Sequence, residues 1–227
     1  MKYSKLFIDV DDTLLDFKMA EKEALLRTAE HFGIPFTPEF HQAYHEINIG
    51  YWKLHEKGIY AKEEFLPMRF IDLMARFGYD LDGRTANAFY HNALCEGYFL
   101  MPGAEELLKE LSSIADVWLV TNGDTDVQTS RLAMGPLMQY VKGIFISDEI
   151  GAPKPSKEFF DVVFETVPHT DDMLIIGDSL TSDIRGGKNA DMDSLWFNPD
   201  GLENTTDIRP TYVVQTLEEI PRIVRGE

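Results

Sequence analysis

The sequence predicts an α/β fold in which a doubly wound, parallel sheet carries an inserted, all-helical cap. Short apolar runs, each followed by a turn, recur near residues 8, 120, 145, 175, 196 and 213. The segments between most of these runs have helical periodicity, and this alternation is typical of a parallel sheet with helices on both faces. The long segment between the first two runs differs, because its periodicity is helical throughout.

That long segment contains four amphipathic stretches separated by Gly, Pro and Asp residues, which favour turns and helix ends. The stretches are AEKEALLRTAEHF, PEFHQAYHEINIGYWKLHE, KEEFLPMRFIDLMARF and TANAFYHNALCEGYF. An insertion directly after the first strand is expected over the carboxyl end of that strand, where open α/β sheets bind ligands. We therefore assign residues 1–16 and 101–227 to a Rossmann-like core and residues 17–100 to the cap.

The composition favours a soluble protein that acts on small molecules. A formal net charge of −18 over 227 residues repels polyanions, so a nucleic acid polymer is not expected as a partner. No apolar run approaches the ~18 residues that cross a bilayer, and the first residues lack a signal-peptide pattern. We therefore expect no membrane association and a cytoplasmic location. A single cysteine, Cys95, excludes an internal disulfide, and nothing in the sequence implies a protein partner.

Three acids follow the first apolar strand directly. They are Asp9, Asp11 and Asp12, and Thr13 completes a D-x-D-x-T pattern. Two carboxylates that lie two residues apart at a strand end can share one cavity. There one acts as a nucleophile or metal ligand while the other, in a different environment, keeps a proton and acts as an acid. A solvated acidic turn is the alternative for this motif taken alone.

Polar residues also follow later strands. Thr121 and Asn122 precede a glycine, where a hydroxyl and free backbone N–H groups can hold phosphate oxygens. Lys154 stands between two prolines, which restrain its backbone. Asp178 ends the strand near residue 175, and Asp183 begins the next predicted helix. Each segment alone is also typical of an ordinary turn or a solvated loop.

Together these segments place acids, a hydroxyl and a lysine at one edge of the same sheet, and this set suits reactions of phosphate esters. An anionic nucleophile approaching a phosphate faces repulsion of order 4 kcal/mol per charge pair at ~4 Å and an effective dielectric near 20. A Mg²⁺ ion held by Asp9 and Asp178, together with Lys154, would offset this repulsion.

Four segments resemble, in order and spacing, the motifs of the haloacid dehalogenase-like superfamily: FIDVDDTLLDF, LVTNG, GAPKPSKEFF and IIGDSLTSDIRGGKNADM. The resemblance implies that Asp9 forms an aspartyl-phosphate and that Asp11 protonates the leaving oxygen and then activates water. It further implies that Thr121 and the backbone of Asn122 bind the phosphoryl group, which Lys154 helps to neutralise.

The same resemblance implies a magnesium site. Asp9, Asp178 and the carbonyl of Asp11 are the expected ligands, with Asp183 as a direct or indirect one. Within the superfamily the chain looks most like the bacterial house-cleaning nucleotidases that act on pyrimidine nucleoside monophosphates. The cap segment INIGYWKLHEKG carries part of this likeness, so Asn48 and Trp52 are candidate substrate contacts, although helix-spaced aromatics are also typical of packing.

Several other functions share part of this pattern. Asp11 favours phosphate-ester hydrolysis over dehalogenation, because an alkoxide leaving group needs a proton and a halide does not. A phosphatase of phosphoglycolate or of a sugar phosphate, and a phosphomutase, stay open as alternatives. A receiver-like signalling domain would carry its phosphorylated Asp before the lysine, whereas Asp178 and Asp183 follow Lys154 here. An idle phosphate-binding member should have lost at least one of these groups.

Overall fold

The chain folds into two compact units. The computed structural model describes the backbone of residues 1–227 and every side chain except that of Glu56. One unit comprises Met1–Phe17 and Tyr98–Glu227, and the other comprises Lys18–Gly97. Within this description, no helix is both long and apolar enough to cross a membrane.

The larger unit is built on a parallel sheet. Its strands are β1 (Lys5–Ile8), β2 (Asp116–Thr121), β3 (Gly143–Ile146), β4 (Met173–Gly177), β5 (Asp193–Phe197) and β6 (Tyr212–Val214). In the described backbone they are arranged in the order β3-β2-β1-β4-β5-β6, and every neighbouring pair is parallel. All five residues of β4 are buried, as expected for a strand that helices cover on both faces.

The smaller unit is helical. It contains most of α1 (Phe17–His31) together with α2 (Pro38–Glu56), α3 (Lys62–Phe77) and α4 (Gly83–Cys95). The Thr37 hydroxyl caps α2 by accepting from the Phe40 amide at 3.2 Å. Three buried rings, those of Tyr44, Phe70 and Tyr90, lie with their centroids 5.2–5.3 Å apart and form part of this unit's core.

Helices cover both faces of the sheet. They are α5 (Ala104–Ser112), α6 (Thr125–Ala133), α7 (Ser147–Ile150), α8 (Lys157–Thr166), α9 (Arg185–Asn189) and α10 (Ile220–Arg225). Leu6 and Ile8 of β1 share a buried cluster with Leu107 of α5, whereas Phe7 belongs to another cluster with Phe159 of α8. Successive strand residues point to opposite faces, so one short strand contributes to both layers of the core.

The order of the strands identifies the ligand-binding edge of the sheet. From β1 the chain builds β2 and β3 on one side, and it then crosses β1 to build β4, β5 and β6 on the other. Ligands of such sheets bind at the carboxyl ends of the strands, where the winding direction reverses. The predicted α/β fold with a doubly wound parallel sheet is confirmed, and its reversal point lies between β1 and β4.

The two segments that connect the units pair with each other. The Asp16 amide donates to the Phe99 carbonyl at 2.8 Å, and the Met101 amide donates to the Leu14 carbonyl at 2.9 Å. The pairing is antiparallel. The chain therefore leaves the larger unit and returns to it through neighbouring, hydrogen-bonded segments.

Candidate active site

The predicted site residues come from the carboxyl ends of adjacent strands. Asp9 follows β1, Thr121 ends β2 and Asp178 follows β4. The Asp9 amide donates to the Ile176 carbonyl at 2.9 Å, which extends the ladder between β1 and β4 by one residue. Because these strands are parallel neighbours, their ends bring the three side chains to the same edge.

Lys154 lies in the middle of this group. Its side chain is buried, and Nζ donates to Asp9 Oδ1 at 2.6 Å, to Asp183 Oδ1 at 2.6 Å and to the Val120 carbonyl at 2.9 Å. These three acceptors match the three donors of an ammonium group. Lys154 therefore contacts both Asp9 and Asp183, the first and the last of the predicted site acids in sequence order.

Asn122 holds the loop that carries this lysine. Its Nδ2 donates to the Lys154 carbonyl at 2.9 Å, and its Oδ1 accepts from the Lys154 amide at 2.8 Å. Both polar atoms of the Asn122 side chain therefore bond to the backbone of Lys154. The sequence motifs imply a role only for the Asn122 backbone, in phosphate binding, and that role stays a prediction. The side chain's contact across 32 residues carries no local sequence signal.

Three carboxylates form a candidate cation site. Asp9, Asp178 and Asp183 each offer one oxygen, and these oxygens all lie within 4.8 Å of one another. Mg²⁺ prefers oxygen ligands and usually takes one or two carboxylates, completing its coordination with water and substrate oxygens. The donor set therefore fits this ion.

Burial and mutual repulsion shift the pKa values of the acids in this group upward. Burial raises the pKa of Asp9 to about 8, with Lys154 opposing the rise and the charges of Asp183 and Asp11 adding to it. Burial and the charges of Asp9 and Asp183 also raise the pKa of Asp178 well above its usual range. Burial lowers the pKa of Lys154, but attraction to Asp183 and Asp9 outweighs it, so this pKa is raised. A divalent cation would stabilise the ionised acids.

Gly177 makes room for Asp183. Asp183 lies in a π-helical turn, Leu180–Ile184, and its Oδ2 accepts from the Ser179 amide at 3.1 Å. A Cβ added at Gly177 would overlap the Asp183 carboxylate. A larger residue at position 177 would therefore push Asp183 away from Lys154.

Gly177→Ala is expected to lower the free energy of unfolding by about 1–3 kcal/mol, the usual effect of overpacking. It should also reduce turnover about tenfold or more, because displaced site groups lose their alignment. Thermal unfolding and steady-state kinetics measure both effects. Gly143→Ala is the matched control, since its added Cβ would approach the nearest atom, in Trp118, only to 3.9 Å. Equal behaviour of the two variants would contradict the role given to Gly177.

The second acid of the first motif is bonded to helix α6. Arg131 Nη1 donates to Asp11 Oδ1 at 2.7 Å, and Gln128 Nε2 donates to Asp11 Oδ2 at 2.8 Å. The sequence motifs predict neither of these partners of Asp11. One sequence feature could have pointed to them. Gln128 and Arg131 are polar, lie three positions apart on the helix that follows the Thr121 turn, and therefore share one face of that helix.

The predicted substrate contacts of the helical unit have partners within that unit. Asn48 is buried, its Nδ2 donates to Glu21 Oε2 at 2.6 Å, and its Oδ1 accepts from Arg69 Nη1 at 2.7 Å. Trp52 is partly exposed and packs edge-to-face on Phe65, with ring centroids 5.2 Å apart. The substrate-binding roles of Asn48 and Trp52 stay predictions, and Asn48 has a clear structural role in addition.

Comparison with known proteins identifies the family. Residues 6–191 match the model of the haloacid dehalogenase-like hydrolases. The chain belongs to this hydrolase family. The resemblance found in the four sequence motifs is thereby confirmed.

Three relatives are similar over almost their whole length. The HAD-hydrolase YfnB of Bacillus subtilis is 41% identical, covering 100% of this chain and 97% of that protein. The pyrimidine 5'-nucleotidase PynA of Streptococcus pneumoniae is 35% identical, covering 97% and 94%. The pyrimidine 5'-nucleotidase YjjG of Escherichia coli is 31% identical, covering 99% of each chain.

The crystal structure of YfnB has the same fold. It superposes with a TM-score of 0.94, covers 99% of both chains, and is described as bound to magnesium and as revealing interdomain movement. The likeness extends over both units of this haloacid dehalogenase-like hydrolase.

Proposed function

We propose that this chain is a magnesium-dependent phosphomonoesterase that works through an aspartyl-phosphate on Asp9 and prefers pyrimidine nucleoside 5'-monophosphates. The observation that carries the proposal is the buried group in which Lys154 Nζ contacts Asp9 and Asp183 at 2.6 Å each. Asp178 completes the acids beside Asp9. The proposed phosphoryl acceptor therefore lies beside a buried ammonium group and a candidate cation site.

In the first step an oxygen of the Asp9 carboxylate attacks phosphorus and forms a new O–P bond. The bond from phosphorus to the ester oxygen breaks, and the proton of the Asp11 carboxyl group moves to the departing oxygen. Lys154 and the Thr121 hydroxyl stabilise the charge on the phosphoryl oxygens. The products of this step are the free alcohol and the Asp9 aspartyl-phosphate.

In the second step water attacks the phosphorus of the aspartyl-phosphate, and the Asp9 O–P bond breaks. Asp11 accepts a proton from the attacking water and so returns to its starting state. Asp9, Asp178, Asp183 and the Asp11 carbonyl are the proposed magnesium ligands. When bound, Mg²⁺ supplies positive charge that reduces the repulsion between the Asp9 carboxylate and the phosphate.

Two relatives support the proposed substrate. PynA and YjjG are both pyrimidine 5'-nucleotidases, and this chain aligns with them from end to end. A nucleotide monomer is compatible with the net charge of −18, because Lys154 and the proposed Mg²⁺ would supply positive charge at the site. We propose that Lys18–Gly97 acts as the cap and that Asn48 and Trp52 help to select the base.

The test is phosphate release from dUMP, dTMP, UMP, AMP, phosphoglycolate and sugar phosphates, each measured with Mg²⁺ and with a chelator. We expect hydrolysis that requires the metal and kcat/KM values highest for the pyrimidine monophosphates. Equal rates across the panel would remove the nucleotidase assignment but keep the phosphatase. No release from any ester would overturn the proposed function.

A further inference from the structure

Helix α6 presents two buried polar side chains to the site, and the reaction described above uses neither. Gln128 and Arg131 are both fully buried. Asp124 caps the helix by accepting from the amides of Asp126 and Val127 at 3.1 and 3.2 Å. The cap fixes where the helix begins, and the spacing of three residues then places Gln128 and Arg131 on the same face.

Together the two side chains hold both oxygens of Asp11. Arg131 Nη1 donates to Oδ1 at 2.7 Å, and Gln128 Nε2 donates to Oδ2 at 2.8 Å. One donor on each oxygen fixes the plane of the carboxylate as well as its position. Arg131 and Gln128 also contact each other, with Arg131 Nη1 donating to Gln128 Oε1 at 3.4 Å.

Gln128 also orients the hydroxyl of Thr121. Its Nε2 donates to Thr121 Oγ1 at 2.7 Å, and the Gly123 amide donates to the same oxygen at 3.0 Å. A hydroxyl oxygen has two acceptor sites, and these two bonds use both, so its hydrogen is left to donate elsewhere. A phosphoryl oxygen requires such a donor. Gly123 permits this arrangement, because a Cβ added there would overlap the Gln128 side chain.

Stability alone does not explain a buried arginine at this place. Removing a guanidinium from water is costly, and replacing buried ionic groups with apolar residues of similar volume is often neutral or stabilising. The partner of Arg131 is also the acid at the site's edge, whose side chain keeps 26% of its surface exposed. An arginine here restrains a group that must face the substrate.

We infer that Gln128 and Arg131 are positioning residues for proton transfer by Asp11, and that Gln128 additionally sets Thr121 as a phosphate donor. The inference rests on the proposed function. Each Asp11 oxygen has a second acceptor site that neither donor uses, and the proton delivered to the departing ester oxygen sits on one of these sites. Loss of either side chain therefore slows this step by misplacing the carboxyl group.

Rapid-quench measurement of the first turnover tests this. The substrates are the nucleotide that the wild type hydrolyses best and p-nitrophenyl phosphate, whose nitrophenolate departs without a proton. For Arg131→Met and Gln128→Leu we expect alcohol release from the nucleotide to slow about 10- to 100-fold, the usual effect of a misplaced acid. Release of nitrophenolate by Arg131→Met should change less than about threefold, because this leaving group needs no proton. Gln128→Leu should slow nitrophenolate release more than Arg131→Met does, because it also removes the group that orients the Thr121 hydroxyl. Arg131→Lys should recover part of the loss because it keeps the charge.

A double-mutant cycle distinguishes positioning from a structural role. In an Asp11→Asn background, Arg131→Met should cause no further loss, because both changes remove the same proton transfer. Arg225→Met is the control, since Arg225 pairs with Glu110 away from the site and the variant should match the wild type. If Arg131→Met does not fold, Arg131→Lys carries the same comparison with a smaller expected loss. Equal loss with both substrates in the Arg131 variants, or additive losses in the cycle, would overturn the inference. A wild type that hydrolyses neither substrate would instead overturn the proposed function.

Discussion

Asp9→Asn is expected to lower the rate of phosphate release by at least about 10³-fold, because an amide cannot replace the carboxylate nucleophile. Asparagine has nearly the same shape as aspartate, and Lys154 keeps its contact with Asp183, so the fold should persist. Acid quenching with labelled substrate should trap phosphate on the wild-type protein and none on the variant.

The matched control for this change is Asp116→Asn. Asp116 begins β2 at the opposite end of the sheet and forms an exposed ion pair with Lys142 at 3.3 Å. This variant should keep wild-type activity, since exposed pairs contribute about 0–1 kcal/mol to stability and lie far from the carboxyl edge. Trapped phosphate on the Asp9→Asn protein would mean that another residue is the nucleophile.

Lys154→Met should have the second largest effect, on both stability and activity. The change leaves Asp9 and Asp183 buried without the ammonium that contacts them, and breaking a buried pair costs about 3–5 kcal/mol. For a chain of this size such a loss lowers the melting temperature on the order of 10 °C. Turnover should fall about 10²- to 10³-fold, as when one stabilising donor is lost from an active site.

Magnesium provides a separate measurement on the Lys154→Met variant. With the ammonium gone, a cation bound by the acids becomes their main source of positive charge, so Mg²⁺ should raise the melting temperature more than in the wild type. Lys142→Met is the control, because Lys142 is exposed and pairs only across the surface with Asp116. If the variant and the wild type respond equally to Mg²⁺, the acids near Lys154 are not the ion's site.

The fold could be predicted because its signals are local. Each buried strand is a short apolar run, and parallel strands bring their carboxyl ends to one edge, so Asp9, Thr121 and Asp178 could be placed near one another before any contact was known. Lys154 follows from the same topology. Its loop leaves the sheet at the edge where those strands end.

Other parts of the site depend on contacts that no local pattern reveals. The two bonds from Asn122 to the Lys154 backbone join positions 32 residues apart, and the bond from Arg131 to Asp11 spans 120. Polar residues on a short helix are usually exposed to solvent, so the sequence does not predict that Gln128 and Arg131 are buried at the site. Asn48 is a further example of a contact that local sequence does not predict. Its position on a helix does not indicate that its side-chain amide hydrogen-bonds with Glu21 and Arg69.

The pairing of residues 14–16 with residues 99–101 also bears on how such proteins diversify. Because the hydrogen bonds that join the two connecting segments belong to the larger unit, the 80 residues from Lys18 to Gly97 begin and end at neighbouring points. The entropic cost of closing a loop rises only slowly with its length, by about 0.6 kcal/mol for each doubling. A module of another length or sequence can therefore occupy this position while the carboxyl edge of the sheet stays the same, so a change of module would alter the proposed substrate preference and leave the proposed chemistry unchanged.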